Sequence, residues 1–392
     1  SADTIAGGAG TDTLTLSAAA TVVDADFTNI TTTEVLDVSA AGSTVTTGSL
    51  SAAAGITSIT VGGATNVITI GANSSSTMAI TGIATGTDKV DASGYSGALT
   101  ITVADGDSLT SADTLTGGTG TSDTLSIAGV TGITAAESAN ITGFETLTIA
   151  DTTASSTVTT SDNVVSAGKS LTVTATTITS GILTFDGSAE TDGTFDIDIS
   201  NSTGNQVVTL GAGNDTLTLG TGNNSVTATG GNNVITTTTG TDLVTAGDGN
   251  DSITLGAGVD TVKITSAGLT FADTITGGAG NDILSLTNAS TVIDADFTNI
   301  TGFTNFQNEG TDTGTTLTLG SLAAATGLTT IGFTDADSTG EDSITIGSGF
   351  TNDLTINTLA TAGNDTIIAT GYTKDLTLSI SSESITSDDT FT

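Results

Sequence analysis

Between Asn201 and Lys263 the chain can be cut, without a gap, into seven consecutive nonapeptides, and a strict period of nine leaves few folds open. The fourth residue is Gly every time: Gly204, Gly213, Gly222, Gly231, Gly240, Gly249 and Gly258. The sixth is Gln206, Asp215, Asn224, Asn233, Asp242, Asp251 and Asp260, and the eighth is Val208, Leu217, Val226, Ile235, Val244, Ile253 and Val262. Nine residues hold a turn of about five and one short strand, with the eighth side chain inward and its neighbours outward. Thr216, Thr218, Ser225, Thr227, Ser252 and Thr254 suit the outward positions. Such a unit cannot bury its apolar face alone. Stacking does bury it, so the period predicts a solenoid held by neighbour contacts along one axis.

A longer repeat surrounds this array. Ser1 to Leu36 and Phe271 to Phe306 share the pattern ADTI-GGAG-D-L followed by DADFTNIT, and a looser copy begins at Ser111 and runs to Ile149. Asp88 to Ile101 parallels Asp365 to Leu378 in the same way. The expected modules are therefore 1–110, 111–200, 201–267 and 268–392.

Composition supports short strands. Phe, Tyr and Trp make up only 3% of the chain, Pro is absent, and 51 Gly must do nearly all the turn-making. The formal net charge is −38, with four Lys and no Arg, so nucleic acid is excluded as a partner because phosphate contacts need cations. A charge of this size opposes compaction unless counter-ions bind, and the ion suited to carboxylates and carbonyls is Ca²⁺. The absence of Cys and His removes disulfides, zinc-type sites and the usual base and nucleophile chemistry. Clustered acids recur with the repeat instead of converging on one cleft, so no enzyme is expected. No apolar stretch approaches a membrane span, and residues 1 to 20 lack the basic start and apolar run of a signal peptide.

Gly7 to Thr15 (GGAGTDTLT) and Gly277 to Ser285 (GGAGNDILS) match G-G-x-G-x-D-x-U-x, the calcium-binding nonapeptide of RTX proteins. On these residues the chain resembles the RTX calcium-binding group. Its long modules, joined by segments such as ITTTEVL and ITGFETL, resemble those of bacterial surface-layer proteins and large adhesins. The resemblance implies an all-β, right-handed parallel β-roll in which alternate repeats stack and several Ca²⁺ lie between the turns of neighbouring coils. It also implies an extracellular protein exported without a cleaved signal peptide, by the type I route.

Carried onto this sequence, the motif makes Gly8, Gly10 and Asp12, Gly278, Gly280 and Asp282, Gly213 and Asp215, Gly240 and Asp242, Gly249 and Asp251, and Gly258 and Asp260 the expected metal site residues. Asp3, Asp113, Asp123 and Asp273 are candidate ligands in the longer modules, and Asp88, Asp342 and Asp365 fit shorter fragments of the motif. Within the array the two columns of stacked sixth residues are Asp215, Asn233, Asp251 and Gln206, Asn224, Asp242, Asp260, which makes Asp242 with Asp260 the best-charged site and the Asn sites weaker or empty. Leu210, Leu219, Ala246 and Leu255 stand where the motif has its first Gly, which lowers the expected occupancy. The pairs Asp24, Asp26 and Asp294, Asp296 are ligands or turn caps, capping being the commoner role.

The leading functional expectation is an extracellular structural protein that folds on calcium and self-assembles into a surface layer, sheath or filament, with itself as chief partner and a cell-surface polysaccharide as a candidate anchor. The alternative is a calcium-rigidified adhesin or binding module for a carbohydrate, a cell surface or ice.

Overall fold

The computed structural model describes residues 4–83, 85–104, 108–129, 132–149, 155–175, 178, 181–288, 291–310, 314–333, 341–357, 365–379 and 390–392. Contacts divide the chain into two compact units, Ser1–Gly204 and Asn205–Thr392. Each is a parallel β-solenoid.

In the first unit one sheet runs from Thr13–Thr15 through Val35–Val38, Ser58–Val61 and Thr77–Ile83 to Thr194–Ile199, and another from Thr21–Val22 through Thr44–Thr47 and Val67–Ile70 to Ile141–Thr142. Neighbours in a sheet are not neighbours in the chain: the strand between them belongs to another sheet, so each coil contributes one strand to one sheet and one to the other. The second unit follows the same rule, with Thr216–Leu219, Val234–Thr236 and Ser252–Thr254 in one sheet and Ser225–Ala228, Leu243–Ala246 and Thr261–Ile264 in another. The ladders are parallel and in register, Val226 opposite Val244 and Ile235 opposite Ile253. One coil takes 18 residues in the array, as between Asn224 and Asp242. It takes 22 between Asp260 and Asp282, 25 between Asp88 and Asp113, and 27 between Thr315 and Asp342.

The two-residue alternation of a strand sorts the side chains. Leu217 and Leu219 of Thr216–Leu219 are fully buried, whereas Thr216 is exposed. All seven eighth-position aliphatics of the array are buried, and so are Leu210, Leu219, Ala246 and Leu255. The first-position departures from Gly thus form a second apolar file, each large aliphatic in these files contributing about 1.5–3 kcal/mol of burial. This core survives in coils of any length, because it needs only two inward residues per strand.

At the fourth position sterics demand Gly. Gly240 and Gly258 have φ of 149° and 156°, and a Cβ on Gly258 would fall onto the carbonyl oxygen of Gly240, one coil back. Backbone meets backbone there, so no rotamer change relieves the clash.

The DADF duplicates form matching 3-10 turns, Asp24–Phe27 and Asp294–Phe297, each burying its Phe. Asp24 accepts hydrogen bonds from the N–H groups of Leu50 and Ser51 (3.0 and 2.8 Å), and Asp294 from those of Gly320 and Ala323 (both 2.8 Å). Each therefore caps a short helix one coil further on, Ser49–Ala54 or Ser321–Ala325. Asp26 and Asp296 cap their own turns through the N–H of Val23 and Ile293. Capping thus accounts for all four carboxylates. Among the described residues no helix is long and apolar enough to cross a membrane.

Candidate calcium sites

The sixth residue of each nonapeptide precedes the eighth by two, so strand alternation turns it to the same inward face. Asp215, Asn224, Asn233, Asp242, Asp251 and Asp260 are accordingly at most 2% exposed. Alternation that starts at the sixth position makes these residues the polar border of the core, a placement the turn-plus-strand reading did not draw.

Their side chains form two ladders along the stacking direction. In one, the N–H of Gln206 donates to Asn224 Oδ1 (3.0 Å), that of Asn224 to Asp242 Oδ1 (2.8 Å), that of Asp242 to Asp260 Oδ1 (2.8 Å), and that of Asp260 to Asp282 Oδ1 (2.9 Å). In the other, Asp215 donates to Asn233, Asn233 to Asp251 and Asp251 to Asp273 (3.0, 2.8 and 2.9 Å). The columns continue beyond the array into the following module, so Asp260 with Asp282 and Asp251 with Asp273 are adjacent acids as much as Asp242 with Asp260.

The second side-chain atom distinguishes Asp from Asn. Asn224 Nδ2 donates to the carbonyl of Gly222 (3.0 Å), and Asn233 Nδ2 to that of Gly230 (2.9 Å). In the first unit Asn66 Nδ2 donates to Gly62 and Gly63 (3.1 and 3.2 Å). The amide thus satisfies the turn carbonyls from within. In the Asp coils the equivalent atom is Oδ2, which has no hydrogen to give. The Oδ2 atoms of Asp242, Asp251, Asp260 and Asp282 are buried and have no hydrogen-bond partner. A buried anionic oxygen beside turn carbonyls is costly unless a cation lies between them. The donor set, all hard oxygen and without His or Cys, fits Ca²⁺. Asp Oδ2 and the carbonyls of turn glycines such as Gly240 and Gly258 would hold it, and the ion would neutralise the column and join turn to turn.

The electrostatic cost of burying these columns shows in the carboxylates. Burial pushes Asp251 and Asp260 up to about 6, helped by repulsion from Asp273 and from Asp242 and Asp282 respectively, and opposed by the N–H groups of Asn233 and Asp242. Burial raises Asp282 as well.

Elsewhere the expected residues fall into three groups. At the first copy, Gly8 and Gly10 are exposed with φ of 111° and 123°, and Asp12 Oδ2 is buried without a partner. A Cβ on Gly7 would lie 2.7 Å from Asp12 Oδ2, and one on Gly277 3.0 Å from Asp282 Oδ2, so the first motif Gly makes room for the carboxylate. Gly278 and Gly280 share the Asp282 turn, Gly249 that of Asp251, and Gly213 that of Asp215.

Asp113, Asp123 and Asp273 form the second group. Asp113 takes the N–H of Asp88 on one oxygen and of Thr110 on the other (both 2.6 Å), Asp273 those of Asp251 and Thr270 (2.9 and 2.7 Å), and Asp123 those of Leu99 and Gly118 (2.9 and 2.7 Å). With both oxygens occupied by backbone donors, these residues serve as clamps between a turn and a coil, and the geometry does not favour the expected ligand role. Asp123 stands one residue later in its motif (GGTGTSD) than Asp12 does (GGAGTD), which carries its second oxygen to the Gly118 amide.

In the third group, Asp342 accepts from Thr315 N–H (2.8 Å) and Asp365 from Asp342 N–H (3.0 Å), continuing the ladder into the last module, as Asp88 does under Asn66 (2.8 Å). Asp3 lies outside the described residues.

Two features escaped the sequence reading. At the fifth position an exposed ladder runs with opposite polarity: Asn223 N–H donates to Asn205 Oδ1 and Thr241 N–H to Asn223 Oδ1 (2.7 and 2.8 Å). Its signal was the recurrence of Asn205, Asn214, Asn223, Asn232 and Asn250 at one motif position. The second is a pair of equivalent glutamates, Glu34 and Glu145, which accept from the N–H of Asp12 and Asp123 (both 2.9 Å) and sit at the E of ITTTEVL and ITGFETL.

These features define a calcium-binding parallel β-solenoid. The RTX calcium-binding nonapeptide repeat family matches in four copies, at residues 1–19, 201–235, 227–262 and 265–288, and the chain carries RTX-type calcium-binding repeats, which bind Ca²⁺ at several sites. RTX repeat proteins are typically extracellular. No curated protein and no solved structure matches the chain.

Proposed function

We propose that this protein is an extracellular structural protein, without catalytic activity, that self-assembles in calcium into a surface layer, sheath or filament. The observation that carries this reading is the ladder of sixth-position side chains repeated coil after coil: calcium is placed as an element of stacking, not as the cofactor of one cleft. A stacking rule of parallel backbone pairing plus shared turn ions works between copies as well as within one, which favours open-ended heterologous contacts. Inside a cell, where calcium is scarce, unneutralised columns would keep the chain loose enough for the type I export route; outside, millimolar calcium would fill even modest sites. A surface polysaccharide is the candidate anchor.

One observation favours the adhesin or ice-binding alternative. Thr218, Thr236, Thr254, Thr276 and Thr301 stand in register on the outer face of one sheet, a regular file of hydroxyls and methyls. Sedimentation and negative-stain imaging across a calcium titration separate the two. Ordered polymers that dissolve on chelation support the structural reading; a folded monomer in saturating calcium overturns it and leaves the Thr file as the working surface.

A further inference from the structure

A cluster of three carboxylates lies outside the nonapeptide repeats, in the divergent part of the first unit. The turn at 161–168 and the turn at 187–193 belong to successive coils, and their backbones are joined where the N–H of Gly168 donates to the carbonyl of Asp192 (2.8 Å). Asp162 Oδ1 accepts from both the N–H and the hydroxyl of Thr191 (2.9 and 2.8 Å), which fixes its carboxylate across the gap. Glu190 Oε1 accepts from the N–H groups of Gly193 and Asp192 (2.7 and 3.1 Å). One oxygen from each of Asp162, Glu190 and Asp192 then lies within 4.8 Å of the other two.

An acidic cluster at a surface is ordinarily just solvated. Here Glu190 is 1% exposed, and its Oε2 is buried with no hydrogen-bond partner. Gln at this position would have kept the Oε1 bonds and lowered the charge. Lys169 lies in the same region, yet the two ion pairs among the described residues are Lys89–Asp91 and Lys263–Glu309, so no ammonium answers the cluster. A carboxylate with one dry, unpartnered oxygen, grouped with two further carboxylates, is stabilised by a positive charge held among them.

We propose that Asp162, Glu190 and Asp192 bind a hard divalent cation, Ca²⁺ in an extracellular setting, as a clasp between two coils that carry no RTX motif. Three carboxylates and no nitrogen or sulfur donor select an alkaline-earth ion over zinc or copper, and the open side of the site, where Asp162 and Asp192 are exposed, admits the water ligands that complete its coordination. Because the sites of the array use one carboxylate and turn carbonyls, the clasp is a chemically distinct class that concentrates three negative charges on one ion.

The test uses the full chain. Native mass spectrometry counts bound calcium, and hydrogen exchange is followed with and without calcium for wild type, Glu190→Gln and Asp192→Asn. Glu190→Gln should release one ion per chain and abolish calcium-dependent protection at 161–168 and 187–193, while protection at 240–262 persists. Asp192→Asn, which alters only an exposed side chain, should weaken the same ion at least tenfold and serves if the buried substitution fails to fold. An unchanged ion count and unchanged calcium protection at both turns in Asp192→Asn would overturn the proposal. Loss of calcium protection at 240–262 in wild type would overturn the array's sites and leave this one standing.

Discussion

Two stretches of the paired columns share a backbone, a register and an inward side chain, and differ by a single atom. In the Asn stretch, at Asn224 and Asn233, the side-chain nitrogen supplies hydrogens to the turn carbonyls. In the Asp stretch, at Asp242, Asp251, Asp260 and Asp282, an oxygen stands in its place and is left unpartnered. The solenoid can thus close a coil in two ways: with an internal amide, which works at any calcium concentration, or with a carboxylate that works only once a cation arrives. Mixing them sets how far the fold depends on calcium, and the amide coils at Asn224 and Asn233 stand between Asp215 and the run of Asp coils that begins at Asp242.

The largest effect should come from removing calcium altogether. Hydrogen exchange after chelation should show residues 240–286 losing protection by several orders of magnitude, with 224–236 losing far less, because unneutralised carboxylates destabilise only the Asp coils. Equal loss in both stretches would break the comparison. Exchanging the two chemistries sharpens it. Asn224→Asp should lower stability by about 1–3 kcal/mol in calcium-free buffer, the cost of leaving a buried group unsatisfied, and should add a bound ion in calcium. The reverse double change, Asp242→Asn with Asp260→Asn, should remove ions while raising the calcium-free melting temperature. A drop in that temperature would mean that the amide does not replace the ion.

Much of this was legible in the sequence and some was not. The period of nine determined which residues stack, because parallel pairing in an 18-residue coil must place the sixth residue on the sixth two repeats later. What could not be read was the inward turn of that residue, since a polar position that recurs after a Gly looks like an exposed turn ligand. The roles of Asp113 and Asp273 were hidden for a related reason: the letters ADT say nothing of the Thr110 and Thr270 amides three residues earlier. The Asp162 cluster has no repeating signal, because its parts lie 28 to 30 positions apart on two loops of unlike sequence.

Acidity provides a smaller test. In metal-free protein Asp251 and Asp260 titrate near 6, above the ordinary value of 3.8, chiefly because they are buried. The folded state then holds more protons than the unfolded state between about pH 4 and 6, so this contribution to stability is complete below the lower value and is lost as pH rises through the upper one. Melting temperature without calcium should therefore fall from pH 5 to 7. With saturating calcium it should hold or rise, since the ion competes with protons for the same oxygens. Asp251→Asn with Asp260→Asn should flatten the metal-free curve. A metal-free melting temperature that climbs with pH would show that these carboxylates do not govern the array.

The smallest expected effect separates clamp from ligand. Asp273 heads the Asp251 column, but both of its oxygens already accept from backbone, one from Asp251 and one from Thr270. Asn at this position keeps an acceptor for one donor only and turns a hydrogen-bearing nitrogen toward the other. Asp273→Asn should therefore cost about 1 kcal/mol, of the order of a lost turn cap, by equal amounts with and without calcium, and should leave the ion count unchanged. Asp282, its counterpart in the other column, has one oxygen taken and one open, so Asp282→Asn should act in the opposite sense: stabilising without calcium and removing an ion with it. If both substitutions behave alike, occupancy of the second oxygen is not what decides which carboxylates of the solenoid bind metal, and the column's charge as a whole must be.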